Sequence, residues 1–285
     1  MKHIIVPIDF SKESLHGLRL ALVLSEKIVS NIQMVYVQKK SSDYFPGSRE
    51  KESKYAKKKF EKIISDYKKM LSEKSKLSYI IKKGKVYEEV VNQAQAFKDS
   101  MIVSSTHGGS GFEELFIGSN TFKIISVAER PVITIRHGAY SDYISRIVLP
   151  IDSSVESRQK VPKTAEIAKI FNSVIHVVCV TTSKGKHIKN KLNAYSKQVC
   201  DYLKEQKIQY TTKFLIGENI VDLTILYSKS IKADLISIMT EQGKSISYLL
   251  LGSYAHQMLN KAPCPVLCIT PKEFLIPGSF KTLGG

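Results

Sequence analysis

The residues best suited to chemistry in this chain are small, few and gathered in its first half. Pro7-Ile8-Asp9 closes one apolar run and Val37 closes another. A third run, Met101 to Ser104, opens into Ser105-Thr106-His107-Gly108 and continues as Gly109-Ser110-Gly111. Nine residues after Gly108 comes Gly118-Ser119-Asn120. A turn of small residues lets backbone N–H groups approach phosphate oxygens, and a helix start aimed at the same point adds partial positive charge. Gly108 and Gly118-Ser119-Asn120 offer both features, since Ser119 or Asn120 precedes a helical pattern. An aspartate at a strand end, such as Asp9, can accept hydrogen bonds from an adenine amino group or a ribose hydroxyl. The chemistry in prospect is therefore recognition of a phosphorylated small molecule.

Taken singly, each feature has a plainer explanation. Asp9 can merely cap the helix that follows. Gly108, Gly109 and Gly111 can form a flexible loop, Gly118 can be a packing glycine, and His107 can be a surface histidine. Their shared position carries the argument. In an open parallel sheet, ligands bind beyond the carboxyl ends of the strands, where strand order reverses. All of these residues fall on that one edge.

The elements that must position them alternate in type. Strands are predicted at about 3–8, 32–37, 77–82, 101–104 and 132–135. Ser11, with Ser14 three positions on, is the predicted N-cap of a helix carrying Leu15, Leu18, Leu22 and Val23. Ala56, Phe60, Ile63, Ile64, Tyr67 and Leu71 recur at helical spacing under a lysine-rich face, and a further helix is predicted at about 86–98. Strands apolar on both faces, alternating with helices, argue a parallel sheet covered on both sides. Right-handed crossovers make such a sheet doubly wound.

The pattern then repeats. Pro7-Ile8-Asp9 returns as Pro150-Ile151-Asp152, 143 residues on. Gly118-Ser119 returns as Gly252-Ser253 and Pro131 as Pro265, both 134 residues on. The second copy has thus lost about nine residues near its middle. Its strands are predicted at 146–151, 174–180, about 208–215, 235–239 and 266–270. The reading is α/β: two doubly wound parallel-sheet domains of five strands each, in tandem. Their bounds are 1–140 and 144–271, with 272–285 as a C-terminal tail.

Composition sets the outer limits. The 285 residues are 43% hydrophobic and 24% charged, which excludes a disordered, collagen-like or disulfide-stapled chain. No apolar run approaches the roughly 18 residues that span a bilayer, and the N-terminus reads as a strand and not a signal peptide. Cys179, Cys200, Cys264 and Cys268 all lie in the second half, with no histidine near the last pair to complete a metal site. They read as buried thiols of a reducing compartment. The net charge of +17 favours anionic partners without naming them. The acidic residues interleaved in the lysine-rich helix dilute the field that a nucleic-acid surface needs.

The Pro-Ile-Asp strand end, the His-Gly-x9-Gly-Ser element and the terminal strands after Pro131 and Pro265 together resemble the universal stress protein family, in a tandem two-domain form. The resemblance covers about 1–136 and 144–271. It implies a Rossmann-like fold and a cytoplasmic stress-response protein that binds ATP or a related adenine nucleotide, with or without magnesium. Carried over, Asp9 and Val37 would contact the adenosine moiety, and Gly108, Gly118 and Ser119 the phosphates. Pro7, Ile8, Ser105, His107 and Asn120 would complete the cofactor site. The family motif has glycine where this chain has Ser105, so a member acting only through protein–protein contacts stays open. The second copy departs further, with Met239, Glu241 and Gln242 in the corresponding loop. A carboxylate roughly 5 Å from a phosphate charge costs about 3 kcal/mol at an effective dielectric near 20. Only the first copy is expected to bind nucleotide. The resemblance also implies an intramolecular pseudo-dimer through strands 132–135 and 266–269, with room for a further homo-oligomer. No nucleophile–base pair, metal triad or GxxxxGK[ST] loop points to an enzyme, and slow ATP hydrolysis involving His107 is the most the sequence allows.

Overall fold

The computed structural model describes residues 2–38, 48–106, 117–136, 138, 141–240 and 251–271. The chain divides into two units, 1–138 and 139–285. The first runs β1 (His3–Pro7), α1 (Lys12–Ile28), β2 (Asn31–Gln38), α2 (Ser48–Tyr67), β3 (Leu77–Lys83), α3 (Val86–Gln95), β4 (Ser100–Ser105), α4 (Ser119–Val127) and β5 (Val132–Ile135). Its strands lie in the order β3-β2-β1-β4-β5, all neighbours parallel. The central strands read as unbroken apolar runs because helices cover both faces. Ile4, Ile5 and Val6 of β1, and Met101, Ile102 and Val103 of β4, have no exposed surface.

The helices follow from the same patterning. Ser11 is the N-cap of α1, its hydroxyl accepting from the Ser14 N–H at 3.1 Å. The Ser14 hydroxyl returns the bond to the Ser11 carbonyl at 3.0 Å. Such a side-chain cap satisfies donors that the first turn leaves open. In α2, Ala56, Phe60 and Ile63 are buried against the sheet, while Lys51, Lys54, Lys57, Lys58, Lys59 and Lys62 stand in solvent. The lysine excess of this helix is thus its outer face. No helix among the described residues is long and apolar enough to cross a membrane.

The second unit repeats the plan: β6 (Arg146–Ile151), α5 (Val161–Phe171), β7 (Val174–Thr181), α6 (Lys186–Glu205), β8 (Tyr210–Ile216), α7 (Ile220–Ser230), β9 (Leu235–Met239), α8 (Ser253–Lys261) and β10 (Val266–Ile269). Its order is β8-β7-β6-β9-β10, again parallel. The serine bonds after the first strand repeat as well, although Ser154 caps no α-helix. Ser157 N–H donates to Ser154 Oγ at 3.2 Å, and Ser157 Oγ to the Ser154 carbonyl at 2.9 Å. The cysteines Cys179, Cys264 and Cys268 are buried, and Cys200 is half-buried on α6. Burial pushes the Cys179 thiol up to about 11 and that of Cys264 up to about 12.

Two paired positions show where the copies part. The left-handed residue ending the first helix is Val29 (φ 42°) in one unit and Asn172 (φ 53°) in the other. A β-branched residue is costly there, whereas asparagine tolerates the conformation. Val29→Asn is therefore expected to stabilise the protein by about 1 kcal/mol, read as a rise in the urea midpoint at unchanged slope. The second divergence is larger. Gly17 in α1 lies so close to β4 that an added Cβ would meet the Ser105 nitrogen at 3.3 Å. The residue 143 positions on is Lys160, which cannot approach as Gly17 does. In the second unit a 3-10 turn (Glu156–Arg158) stands where α1 has already begun, and α5 starts only at Val161, with Pro162 in its first turn.

Candidate functional site

The first unit's strand order reverses between β1 and β4, so the crevice lies at the carboxyl ends of these strands. β1 and β2 run in register with Pro7 beside Val35, and the Ile8 N–H donates to the Val35 carbonyl at 2.9 Å. That register carries Asp9 past the last bond, to the level of Val37. Ile8 and Val37 are buried, Pro7 is half-buried and Asp9 is exposed. On the other side of β1, Ser105 ends β4, paired with Ile135 of β5.

Asp9 is not the helix cap. Its Oδ1 accepts from the Ser11 N–H at 3.0 Å and from the Ser11 hydroxyl, while Ser11 caps the helix. This chain of bonds holds the carboxylate at the strand end. Phe10, between them, adopts φ 65°, an unusual conformation for an aromatic residue. Its ring is stacked 5.0 Å from Tyr36 and lies edge-on to Phe60 at 5.0 Å and to Tyr55 at 6.1 Å. Tyr36 is tied in turn to α2, its hydroxyl donating to Glu52 Oε1 at 2.7 Å. Burial, then that bond to a carboxylate, drives the Tyr36 pKa upward, so the phenol stays protonated. This aromatic support for the Asp9 turn was not legible in the sequence. Phe60 belonged to the core stripe, and nothing in the spacing linked it to Phe10.

The stem of the glycine-rich loop is fixed at both ends. The Thr106 N–H donates to the Ile135 carbonyl at 2.8 Å, and the Gly118 N–H donates to the Thr106 carbonyl. Thr121, buried in the first turn of α4, donates its hydroxyl to the Ser105 carbonyl at 2.7 Å and lies 3.2 Å from the Ser104 hydroxyl. Gly118 is the N-cap of α4, with φ −60° and ψ 141° and no side-chain cap. Those angles suit any residue, so what glycine contributes here is its missing side chain. Its own N–H is committed to Thr106. An anion would instead meet the Ser119 and Asn120 backbone at the exposed start of α4, where N–H groups lack intrahelical partners. Ser105 is ordinary strand backbone and is not among the residues with positive φ, so serine replaces glycine there without conformational cost. His107 and Gly108 lie outside the described residues.

The second unit places Asp152 at the same strand end, with Oδ1 accepting from the Ser154 N–H at 2.7 Å. Around it the surroundings differ. Met239 stands in the place of Ser105 and is buried, and Tyr254 stands in the place of Asn120. Burial, with Asp152 adding to it, pushes the Tyr254 phenol pKa upward. Glu241, Gln242 and Gly243 lie outside the described residues.

In a doubly wound α/β unit a ligand, where there is one, lies in the crevice at the switch point, and this chain carries that unit twice. The universal stress protein family model matches residues 1–136 and again 144–270, and the chain belongs to that family. A universal stress protein from Archaeoglobus fulgidus is similar in structure, with a TM-score of 0.74 at 16% identity over 94% of this chain and 98% of that one. A putative universal stress protein from Pseudomonas aeruginosa gives 0.67 at 15% identity over 95% and 94%. A functionally unknown protein from the same species gives 0.64 at 15% identity over 95% and 93%. At these identities the likeness is one of fold. No curated protein matches the sequence.

Proposed function

We propose that the first unit binds ATP or a related adenine nucleotide, and that this occupancy regulates a cytoplasmic stress response. The observation that carries the reading is the convergence of Asp9, Val37, Ser105 and the uncapped start of α4 on the carboxyl end of one sheet. Pro7, Ile8, Asp9 and Val37 face the adenosine. Ser119, through its hydroxyl and N–H, takes the phosphates with Asn120, Gly118, His107 and Gly108. A magnesium ion accompanies the phosphates. The second unit serves as a structural partner without nucleotide, since Lys160, Met239 and Tyr254 replace the small residues Gly17, Ser105 and Asn120. We extend the proposal to pairing of Val132–Ile135 with Val266–Ile269 within the chain, because each is the last strand in its unit's order and an unpaired edge invites aggregation. Co-elution of the two halves after cleavage between residues 138 and 144 tests that pairing.

Nucleotide binding is tested by acid extraction of the purified protein and by thermal unfolding with ATP and magnesium. A ligand at about 100 times its Kd stabilises the native state by about 2.7 kcal/mol. Gly118→Val keeps an allowed backbone and the Thr106 bond but puts a branched side chain at the phosphate approach. The variant is expected to fold and to lose the ATP-dependent shift. An equal shift in both proteins overturns the site.

A further inference from the structure

Arg158 ends the 3-10 turn that replaces the beginning of α1 in the second unit. Its counterpart 143 residues earlier is Leu15, so the second copy has exchanged an apolar side chain for a guanidinium. That guanidinium has no exposed surface. One side of it is settled: Nη1 donates to Gln198 Oε1 on α6. One face is settled as well, since the group lies 3.5 Å from the centroid of the Tyr195 ring. The remaining edge carries Nε and Nη2, and both are buried without a hydrogen-bond partner.

Nε–H and the Nη2 amino group point the same way and form the side-on fork with which arginine grips two oxygens of one carboxylate or phosphate. An unpaired buried charge is among the most costly features a fold can hold. Water would satisfy the donors and leave the charge. Lys160, two residues on, is a second buried cation. Two carboxylates act on the pair through space, exposed Glu156 on Arg158 and Asp152 on Lys160, but neither is hydrogen-bonded to the Nε/Nη2 edge. We propose that the second unit binds a small oxyanion, a phosphate or a carboxylate, on the Nε/Nη2 edge of Arg158. The stacking on Tyr195 and the bond to Gln198 orient the fork in advance, and the groups that cover the Nε/Nη2 edge must part to admit the ion, which favours a small one. The site is separate from the first unit's crevice and does not depend on nucleotide binding there.

The test uses the full chain in a chloride buffer of fixed ionic strength. Inorganic phosphate and acetate are added separately while the side-chain Nε resonances are followed by 1H–15N NMR, with the Arg158 signal identified by its absence in Arg158→Lys. A saturable shift of that signal is expected with at least one anion, and the responding anion identifies the class. The unfolding temperature should rise in parallel. Arg158→Lys keeps the charge without the fork, so the rise should need about tenfold more anion. Arg158→Met should remove this site's share of the rise and unfold at a higher temperature in chloride alone, since it removes a buried charge. The Gly118→Val variant should respond as the wild type does, which separates this site from a phosphate seat in the first unit. An Arg158 signal unmoved by both anions overturns the proposal, and that measurement needs no variant beyond the assignment. An anion-dependent rise retained undiminished in Arg158→Met overturns it too.

Discussion

Phe60→Ala is expected to lose about 4 kcal/mol of stability, in the range for truncating a fully buried aromatic ring, and to weaken nucleotide binding with it. Phe60 has no exposed surface. Its ring is stacked on Tyr79 with centroids 4.5 Å apart and planes 8° apart, and it meets Phe10 edge-on. Truncation loses both contacts and leaves a void that the sheet cannot collapse to fill. The second effect runs through Phe10. Its left-handed backbone costs about 1–2 kcal/mol, and the rings around it hold it there. With Phe60 gone, Phe10 can relax and carry Asp9 with it. Loss of a pre-set geometry worth that much corresponds to about a tenfold drop in affinity. Urea unfolding gives the first quantity and calorimetric titration with ATP the second. Phe171→Ala, equally buried in the second unit, is the control: similar loss of stability, unchanged affinity. If Phe60→Ala leaves affinity at the wild-type level, Phe10 does not hold Asp9.

Lys160→Met should act in the opposite direction and depend on pH. The Lys160 ammonium is 2% exposed and donates to the Ser157 carbonyl. Burial pulls its pKa down to about 8 against the partial support of nearby Asp152. An unfolded lysine titrates near 10.4. Between about pH 8 and 10.4 the unfolded chain therefore binds more protons than the native one, and this residue makes stability rise with pH. Below pH 8 both states are protonated and the full penalty stands, about 3 kcal/mol on the figure of 1.36 per pKa unit. Methionine removes that penalty together with one hydrogen bond worth about 1 kcal/mol. The variant should gain about 2 kcal/mol at pH 7, and the gain should shrink toward zero by pH 10. Cys179, Cys264, Cys268, Tyr36 and Tyr254, all with raised pKa values, take stability away in alkali. They do so in both proteins, so the difference between the two curves isolates Lys160. A difference that stays flat from pH 7 to 10 would refute the assignment.

Much of the fold could be read from periodicity because the central strands are apolar on both faces and short. The runs at 132–135, 146–151 and 235–239 are the strands observed, residue for residue. Ser11 was legible as a cap because serine at such a position has a local mechanism. The strand ends that frame the crevice followed from the parallel sheet itself. What stayed hidden depends on contacts between residues far apart in sequence. The bond from Thr121 to the Ser105 carbonyl spans 16 positions, and the stacking of Phe60 on Tyr79 joins a helix to a neighbouring strand. Gly118 illustrates the same limit. Its residue type made it a candidate for a phosphate seat, but only the tertiary structure decides that its N–H is turned to the Thr106 carbonyl.

Residue order alone decided that this chain is one α/β unit written twice, because alternation of apolar strands with amphipathic helices is a local property that survives without any contact being known. It also decided which strand ends would carry the polar groups. Tertiary structure decided what each copy does with the shared plan. Gly17 admits α1 against the end of β4, while Lys160 at the same place excludes it and leaves a buried arginine in the turn that results. The reason is steric and electrostatic at once: an added Cβ at Gly17 would crowd the Ser105 nitrogen, and a buried cation must find its counter-charge through space, which no spacing along the chain records.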